Sequence, residues 1–148
     1  WYDPTTNHKP YVTCWCTLDA VNEENGTVYI LPHSRGGTKD KIIDHHKEEG
    51  TNDLIGYTGP DPGDPLIVPA GSIVAFDSYL FHRSGPNKTN RMRRIYLPQY
   101  SGAPIRRPDG KPWAMATPFL KHGKNIYNHA EDSADKYGPF PDKKKEAA

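Results

Sequence analysis

The sequence has almost no net charge, few cysteines and no long apolar run. A net charge of +1 over 148 residues gives no reason to expect a nucleic acid or an anionic membrane as a partner. No stretch approaches the roughly 20 apolar residues of a membrane-spanning helix, and the first residues do not show the charged-then-apolar pattern of a signal peptide. These absences argue against nucleic-acid-binding and membrane-spanning classes of protein. The length is that of one domain.

The two cysteines, Cys14 and Cys16, are two positions apart in a segment that predicts a strand. Residues at that spacing point the same way, and their Cβ atoms are too far apart for a relaxed disulfide. We therefore expect reduced thiols and a cytoplasmic location. A zinc site would require two further soft ligands nearby, which the sequence does not offer.

Turn-forming residues are abundant, with 15 prolines and 13 glycines, and they predict many turns and little helix. The apolar residues fall in short β-branched or aromatic runs, which predict strands within residues 11–18, 27–32, 66–77 and 93–101. This is an all-β pattern of the jelly-roll or cupin-like kind. It has roughly five strands where a closed double sheet has about eight, so strands are expected to be missing at the N-terminus.

Two parts of the chain lie outside this strand pattern. Residues 33–65 form a long polar excursion with at most a short helix around 39–48. A connection of that length is usually functional or disordered, and we expect a long loop over the mouth of the barrel. Residues 139–148 predict a disordered charged tail, which leaves residues 1–138 as a single, partial β domain.

His82 is the first candidate for chemistry. It follows the apolar segment IVAFDSYLF and precedes the polar turn RSGPN. A histidine at the end of a strand can point into a barrel mouth and bind a metal through its neutral imidazole. The alternative is a partly buried histidine that bonds a backbone carbonyl, and His82 by itself leaves both open.

Arg93 and Arg94 begin the last predicted strand, and Arg93 comes eleven residues after His82. Strand alternation places one arginine inward and the other outward. A buried guanidinium is costly unless an anion meets it, and its planar fork suits a carboxylate. An acid from a neighbouring strand, such as Asp77, could be that partner, which leaves a purely structural role open.

These segments resemble a known family. WCTLDAVNEENGTVYILPHSRGG, then VPAGSIVAFDSYLFHRSGPN, then an arginine eleven positions after the histidine are similar to the phytanoyl-CoA dioxygenase family, over roughly residues 11–120. The resemblance implies an iron(II)- and 2-oxoglutarate-dependent oxygenase with a double-stranded β-helix fold. It implies that His82 is an iron ligand and that Arg93 clamps the C5 carboxylate of 2-oxoglutarate. It also implies that Ser84 hydrogen-bonds the same carboxylate and that Trp15 lies beside the cosubstrate.

The other two iron ligands of that family are missing from this sequence. Family members supply them as His-x-Asp on a strand shortly before the position of Trp15, and no His-x-Asp occurs in these 148 residues. The facial triad of two histidines and one carboxylate requires all three ligands. We therefore expect a C-terminal fragment of the enzyme that is inactive by itself.

Other histidines are weaker ligand candidates. His46 and Glu48 form a His-x-Glu pair that precedes the candidate ligand, but they lie in the polar excursion, after the first predicted strand. His129 and Glu131 come after the candidate ligand, in the wrong order. His33 occupies a position where the family commonly has a small residue, and it could line the site.

The expected reaction is hydroxylation coupled to decarboxylation of 2-oxoglutarate to succinate, with O2 and a small-molecule substrate as partners. The competing class is a non-catalytic β-sandwich binding domain of the same fold without iron. A third class, a cupin-type isomerase or a 2-oxoglutarate-independent dioxygenase, would not require an arginine on the strand after His82.

Overall fold

The fold is built on one long strand, β1 (Tyr11–Thr17). Its odd-numbered side chains are buried and the others are exposed or half-buried, as expected for a strand with one face on a core. Cys14 and Cys16 lie on the outer face as free, half-buried thiols. The computed structural model describes residues 10–36, 38, 43–51, 53–111 and 119–128.

Within those residues, ten further short strands and one helical turn follow β1. They are β2 (Val28–Ile30), α1 (His33–Gly36), β3 (His46–Lys47), β4 (Leu54–Ile55), β5 (Asp64–Pro65), β6 (Ile73–Asp77), β7 (His82–Ser84), β8 (Ile95–Tyr96), β9 (Gln99–Ser101), β10 (Leu120–Lys121) and β11 (Lys124–Asn125). The predicted all-β class is confirmed, because the regular elements of the described residues are strands apart from one helical turn. None of the described helices has the length and hydropathy that crossing a membrane requires.

The first sheet has β1 at its centre. β1 pairs antiparallel with β6 on one side and with β8 and β9 on the other. The register is the same on both sides of Pro98: Thr13 pairs with Gln99 and Thr17 with Ile95. Because proline has no N–H to donate, the ladder is interrupted there without being shifted. The single strand predicted at the end of this region is therefore two short strands, and Arg93 and Arg94 come just before the first of them.

The second sheet has the order β5–β2–β7, with all pairs antiparallel. β7 is an edge strand of this sheet as far as the chain is described, and it pairs with β2 alone. His82 opens this strand, whereas the sequence placed it at the end of one. Two small hairpins, β3–β4 and β10–β11, lie outside both sheets.

The core lies between the two sheets. Its buried members come from both sheets and their connections: Trp15, Val21, Val28 and Phe76. Partly buried apolar side chains pack around them, and the Phe76 ring of the first sheet lies 4.9 Å from the His82 ring of the second. Removing this apolar surface from water is the main favourable contribution to the association of the sheets.

The polar excursion has more structure than its composition indicates. It contains α1, the β3–β4 hairpin and β5. A short helix was expected around 39–48, but His46–Lys47 is a strand, and residues 39–42 lie outside the described part. The predicted domain end at 138 and the tail at 139–148 also lie outside it.

Candidate functional site

His82 faces the space between the sheets. It pairs with Ile30 of β2, whose side chain packs on the core, and strand alternation puts His82 on the same face. Nδ1 of His82 lies 3.0 Å from the carbonyl oxygen of Leu80. The bond to a backbone carbonyl that the alternative hypothesis for His82 requires is therefore present.

That hydrogen bond is compatible with a metal role, because it uses only one ring nitrogen. If Nδ1–H donates to Leu80, Nε2 of the neutral ring keeps the lone pair that a metal needs. His82 as a whole is exposed, yet packing near Phe76 removes part of the water around the ring. This desolvation lowers the pKa of His82 below its ordinary value, and the Leu80 carbonyl opposes the shift. The neutral form is the one that binds metal.

Ser84 ends the same strand and faces the same way as His82. It pairs with Val28, a buried member of the core, whereas Arg83 between them pairs with Tyr29. Ser84 is exposed, and strand alternation places its side chain on the side of the sheet that His82 faces. Two of the predicted site residues are thus brought together by one three-residue strand.

Arg93 is the most unusual residue of the described chain. Its guanidinium carbon lies 5.9 Å from the centroid of the Trp15 ring, and Trp15 is only 2% exposed. Its Nε is buried and has no hydrogen-bond partner among the described residues. A buried, unpartnered N–H of a charged group is unfavourable, so this arrangement suits an anionic ligand.

Arg94 points the other way and has a protein partner. Its Nε lies 3.0 Å and its Nη2 2.7 Å from the two carboxylate oxygens of Asp19, and its backbone N–H donates to the same carboxylate at 2.8 Å. These hydrogen bonds lower the pKa of Asp19 from 3.8 to about 2. The sequence hypothesis paired the inward arginine with an acid of a neighbouring strand such as Asp77, whereas the structure pairs the other arginine, Arg94, with Asp19.

Asp77, the acid suggested for that role, bonds a histidine instead. Its Oδ2 lies 3.1 Å from Nε2 of His33, and its Oδ1 accepts from the backbone N–H of Tyr79. His33 Nδ1 lies 3.4 Å from the hydroxyl of the buried Thr38. Sequence reasoning missed this bridge because 44 positions separate its two members. It missed Asp19 too, although an acid two residues after β1 was a usable signal.

The described residues hold no group of three or more His, Cys, Asp or Glu side chains placed to bind a metal ion. His46 is exposed on β3, opposite Ile55, and Glu48 follows it, also exposed. His129 and Glu131 lie outside the described part of the chain. Among the predicted residues, His82 is thus the metal-ligand candidate with suitable local geometry, and it supplies one ligand.

The inner faces of the two sheets therefore present an imidazole and a hydroxyl, and the half-buried Arg93 lies just before β8 with its Nε buried. The His82 ring contacts Phe76, which belongs to the same core cluster as Trp15. The guanidinium group of Arg93 lies over the Trp15 ring. Chemically, this set can supply one metal ligand and hold one carboxylate.

Comparison with known proteins agrees with this chemistry. "Phytanoyl-CoA dioxygenase, peroxisomal" of Mus musculus is 33% identical over 98 residues, which are 63% of this chain and 29% of that protein. "Methylphosphonate hydroxylase" of Gimesia maris is 32% identical over 99 residues, 65% of this chain and 34% of that protein. "Probable alpha-ketoglutarate-dependent hypophosphite dioxygenase" of Stutzerimonas stutzeri is 30% identical over 108 residues, 68% of this chain and 36% of that protein.

The matched part of the chain thus spans about a third of the length of these relatives. No solved structure matches the chain significantly. The profile of the family described as Phytanoyl-CoA dioxygenase (PhyH) matches residues 1–95, which is more than half of the chain and includes His82, Ser84 and Arg93. This chain belongs to the phytanoyl-CoA dioxygenase family.

Proposed function

We propose that this chain is part of an iron(II)- and 2-oxoglutarate-dependent oxygenase that hydroxylates a small molecule. The observation that carries the proposal is the buried Nε of Arg93, which has no partner among the described residues and lies beside Trp15. A protein that only needed a folded β-sandwich would gain nothing from a buried donor without a partner at this position. A cosubstrate with a free carboxylate supplies the missing partner.

The residues present fit one part of an iron site. Nε2 of His82 would be one ligand, held in the metal-binding tautomer by the Leu80 carbonyl. We propose that a His-x-Asp pair from outside these 148 residues completes the facial triad, because the sequence itself has none. One imidazole is a poor iron site, so this chain alone is expected to be inactive.

The residues present fit the cosubstrate better. Arg93 would bind the C5 carboxylate of 2-oxoglutarate through its planar fork, and Ser84 would donate a hydroxyl hydrogen bond to the same carboxylate. The buried ring of Trp15 would form the floor under both groups and exclude water from them. The two-sheet core that positions them is proposed to be part of a double-stranded β-helix.

When bound, iron(II) and 2-oxoglutarate supply oxidation of a C–H bond by O2, coupled to decarboxylation of the cosubstrate to succinate. The chain's own residues would then have three tasks. His82 would bind the iron, Arg93 and Ser84 would orient the carboxylate of 2-oxoglutarate, and Trp15 would exclude water. The relatives are named for phytanoyl-CoA, methylphosphonate and hypophosphite, which differ widely in size and charge. The proposal therefore names a reaction class and leaves the substrate open.

The test is an anaerobic absorbance titration with iron(II) and 2-oxoglutarate, followed by measurement of succinate after oxygen is admitted. The intact protein, with a His-x-Asp pair in place, should show a metal-to-ligand charge-transfer band and form succinate. These 148 residues alone should show neither. A band from the chain alone would mean that all ligands lie within it, and His46 with Glu48 would be the first pair to test.

A second candidate is a non-catalytic binding domain that keeps the fold without iron. It is favoured by the lack of a three-residue metal cluster in the described part of the chain. The same titration separates the two functions. A binding domain would show no band and no succinate even in the intact protein.

A further inference from the structure

We propose that the polar excursion at 33–65 grips the outer side of β7 through Arg83, and that Arg83 thereby positions His82 and Ser84. This inference rests on the proposed function, because it concerns the same metal and cosubstrate ligands. It assigns the excursion a supporting role behind the site, in addition to any role over the mouth.

Strand alternation separates the two sides of β7. His82 and Ser84 pair with Ile30 and Val28, both of which pack on the core, so they face inward. Arg83 pairs with Tyr29 and faces the outer side of the second sheet. Movement of the Arg83 side would therefore move both inward residues together.

Arg83 crosses that outer side from β7 to the far end of the excursion. Its guanidinium carbon lies 4.0 Å from the centroid of the Tyr29 ring, a short cation–π distance. Its Nε donates to the carbonyl oxygen of Pro62 at 3.1 Å, just before β5. The Tyr29 ring is itself held by a 2.9 Å hydrogen bond from its hydroxyl to Glu23.

The segment around Pro62, which accepts the hydrogen bond from Arg83, is held in place by its neighbours. Arg35 of α1 binds Asp61 and Asp64, one on each side, at 2.9 Å. The backbone N–H of Gly63 donates to Asp61, and Gly63 has a φ of +78°. A Cβ at that position would lie 2.8 Å from the carbonyl oxygen of Ile30, so the close approach of this segment to β2 requires glycine.

Phe81 provides a second contact between the excursion and β7. Its ring centroid lies 5.8 Å from that of His45 and 5.7 Å from that of Tyr57, both in the excursion. A Cβ at Gly56 would lie 2.5 Å from the His45 ring, so a glycine is needed for this packing. The residue immediately before His82 is thus held by an aromatic layer.

These contacts matter because β7 is short and at an edge. Three residues paired on one side make few backbone hydrogen bonds, which leaves the strand free to shift unless side chains hold it. Residues that orient metal ligands typically change metal affinity by about 10- to 100-fold when removed. Arg83 acts on His82 through the backbone, so we expect the lower end of that range.

The experiment uses the intact protein and compares Arg83→Ala with Arg91→Ala. Arg91 is an exposed arginine whose backbone hydrogen-bonds the side chains of Asn87 and Thr89. The iron(II) dissociation constant is measured at saturating 2-oxoglutarate from the charge-transfer band, at a temperature well below the thermal midpoint of each variant. It should rise about 10-fold for Arg83→Ala. The band maximum should also shift. Arg91→Ala should match the wild type, and Arg83→Lys, which keeps a cation over Tyr29, should lie between.

Two outcomes would overturn the inference. A folded Arg83→Ala protein with wild-type iron affinity and band position would show that Arg83 only stabilises the fold, even if its thermal midpoint fell. If that variant does not fold, Arg83→Met keeps the side-chain stem but removes the donor to Pro62 and the charge over Tyr29, and unchanged iron affinity in it would be equally decisive. Failure of the wild type to show any band would instead refute the proposed function.

Discussion

Replacing Arg93 with lysine tests the proposed cosubstrate site most directly. Lysine keeps the positive charge and a long stem beside Trp15, so the core is little disturbed. It loses the planar fork and the Nε–H that is buried without a partner among the described residues. The change therefore removes the paired-donor geometry while leaving a cation in place.

The magnitude follows from the lost hydrogen bond. A hydrogen bond to a charged partner contributes about 1.5–3 kcal/mol, and each 1.4 kcal/mol is a factor of ten. The apparent affinity for 2-oxoglutarate should thus fall roughly 10- to 150-fold in Arg93→Lys. Iron affinity without cosubstrate should be unchanged, because the guanidinium is not a metal ligand.

The assay measures the KM for 2-oxoglutarate from succinate formation, and its Kd from the anaerobic charge-transfer titration. Arg94→Lys is the matched control, because Arg94 is the next residue and binds Asp19 on the outer side. It should leave both constants unchanged. A Kd within about twofold of wild type in Arg93→Lys would refute the carboxylate clamp, since the expected loss is at least tenfold. An effect in Arg94→Lys alone would mean that the wrong arginine had been assigned.

Three further predictions concern the metal ligand, the core and the surface. In the intact protein, His82→Ala should abolish succinate formation and His46→Ala should not; near-normal activity of His82→Ala would disprove the ligand assignment. Trp15→Ala should lower the free energy of unfolding in urea by about 3–5 kcal/mol, and Val12→Thr on the outer face of the same strand by about 0.5 kcal/mol or less. The pKa of Asp19 is lowered from 3.8 to about 2. The ionised Asp19 therefore stabilises the folded state fully above about pH 3.8, and this stabilisation is lost as the pH falls through about 2. Asp19→Asn should remove this pH dependence of the free energy of unfolding in urea. The same loss of stability at acidic pH in the variant and the wild type would show that the ion pair does not stabilise the fold.

The strands were predictable because their signal is local. The buried face of β1, with Trp15 at its centre, follows from alternation in the sequence, and so does the opposite facing of Arg93 and Arg94. The short strands within the excursion were missed because their two-residue ladders, such as His46–Lys47 with Leu54–Ile55, have no apolar alternation. Their formation depends on packing that the local sequence does not specify.

The hydrogen-bond partners of the candidate site residues were not predictable from the sequence. An arginine beginning an apolar strand already indicates an anion, but which acid neutralises which arginine depends on register. Asp19 reaches Arg94 because the β1–β8 register puts Leu18 opposite it, as the 3.1 Å hydrogen bond from the Leu18 N–H to the Arg94 carbonyl shows. Asp77 is taken by His33 across 44 positions. Such long-range pairs follow from the fold.

The contrast between the two adjacent arginines is the strongest structural argument for function. Arg94 is on the surface and has every advantage of a solvated cation, yet the fold gives it three hydrogen bonds to Asp19. Arg93 is half-buried over an apolar ring, where a donor without a partner costs about 1–3 kcal/mol or more for a charged group, and the described residues give its Nε none. A fold of ordinary stability, about 5–15 kcal/mol, can tolerate one such cost but gains nothing from it. No described residue offsets this cost, and a bound anion would offset it. For that reason Arg93, more than His82, supports the proposal of a carboxylate cosubstrate.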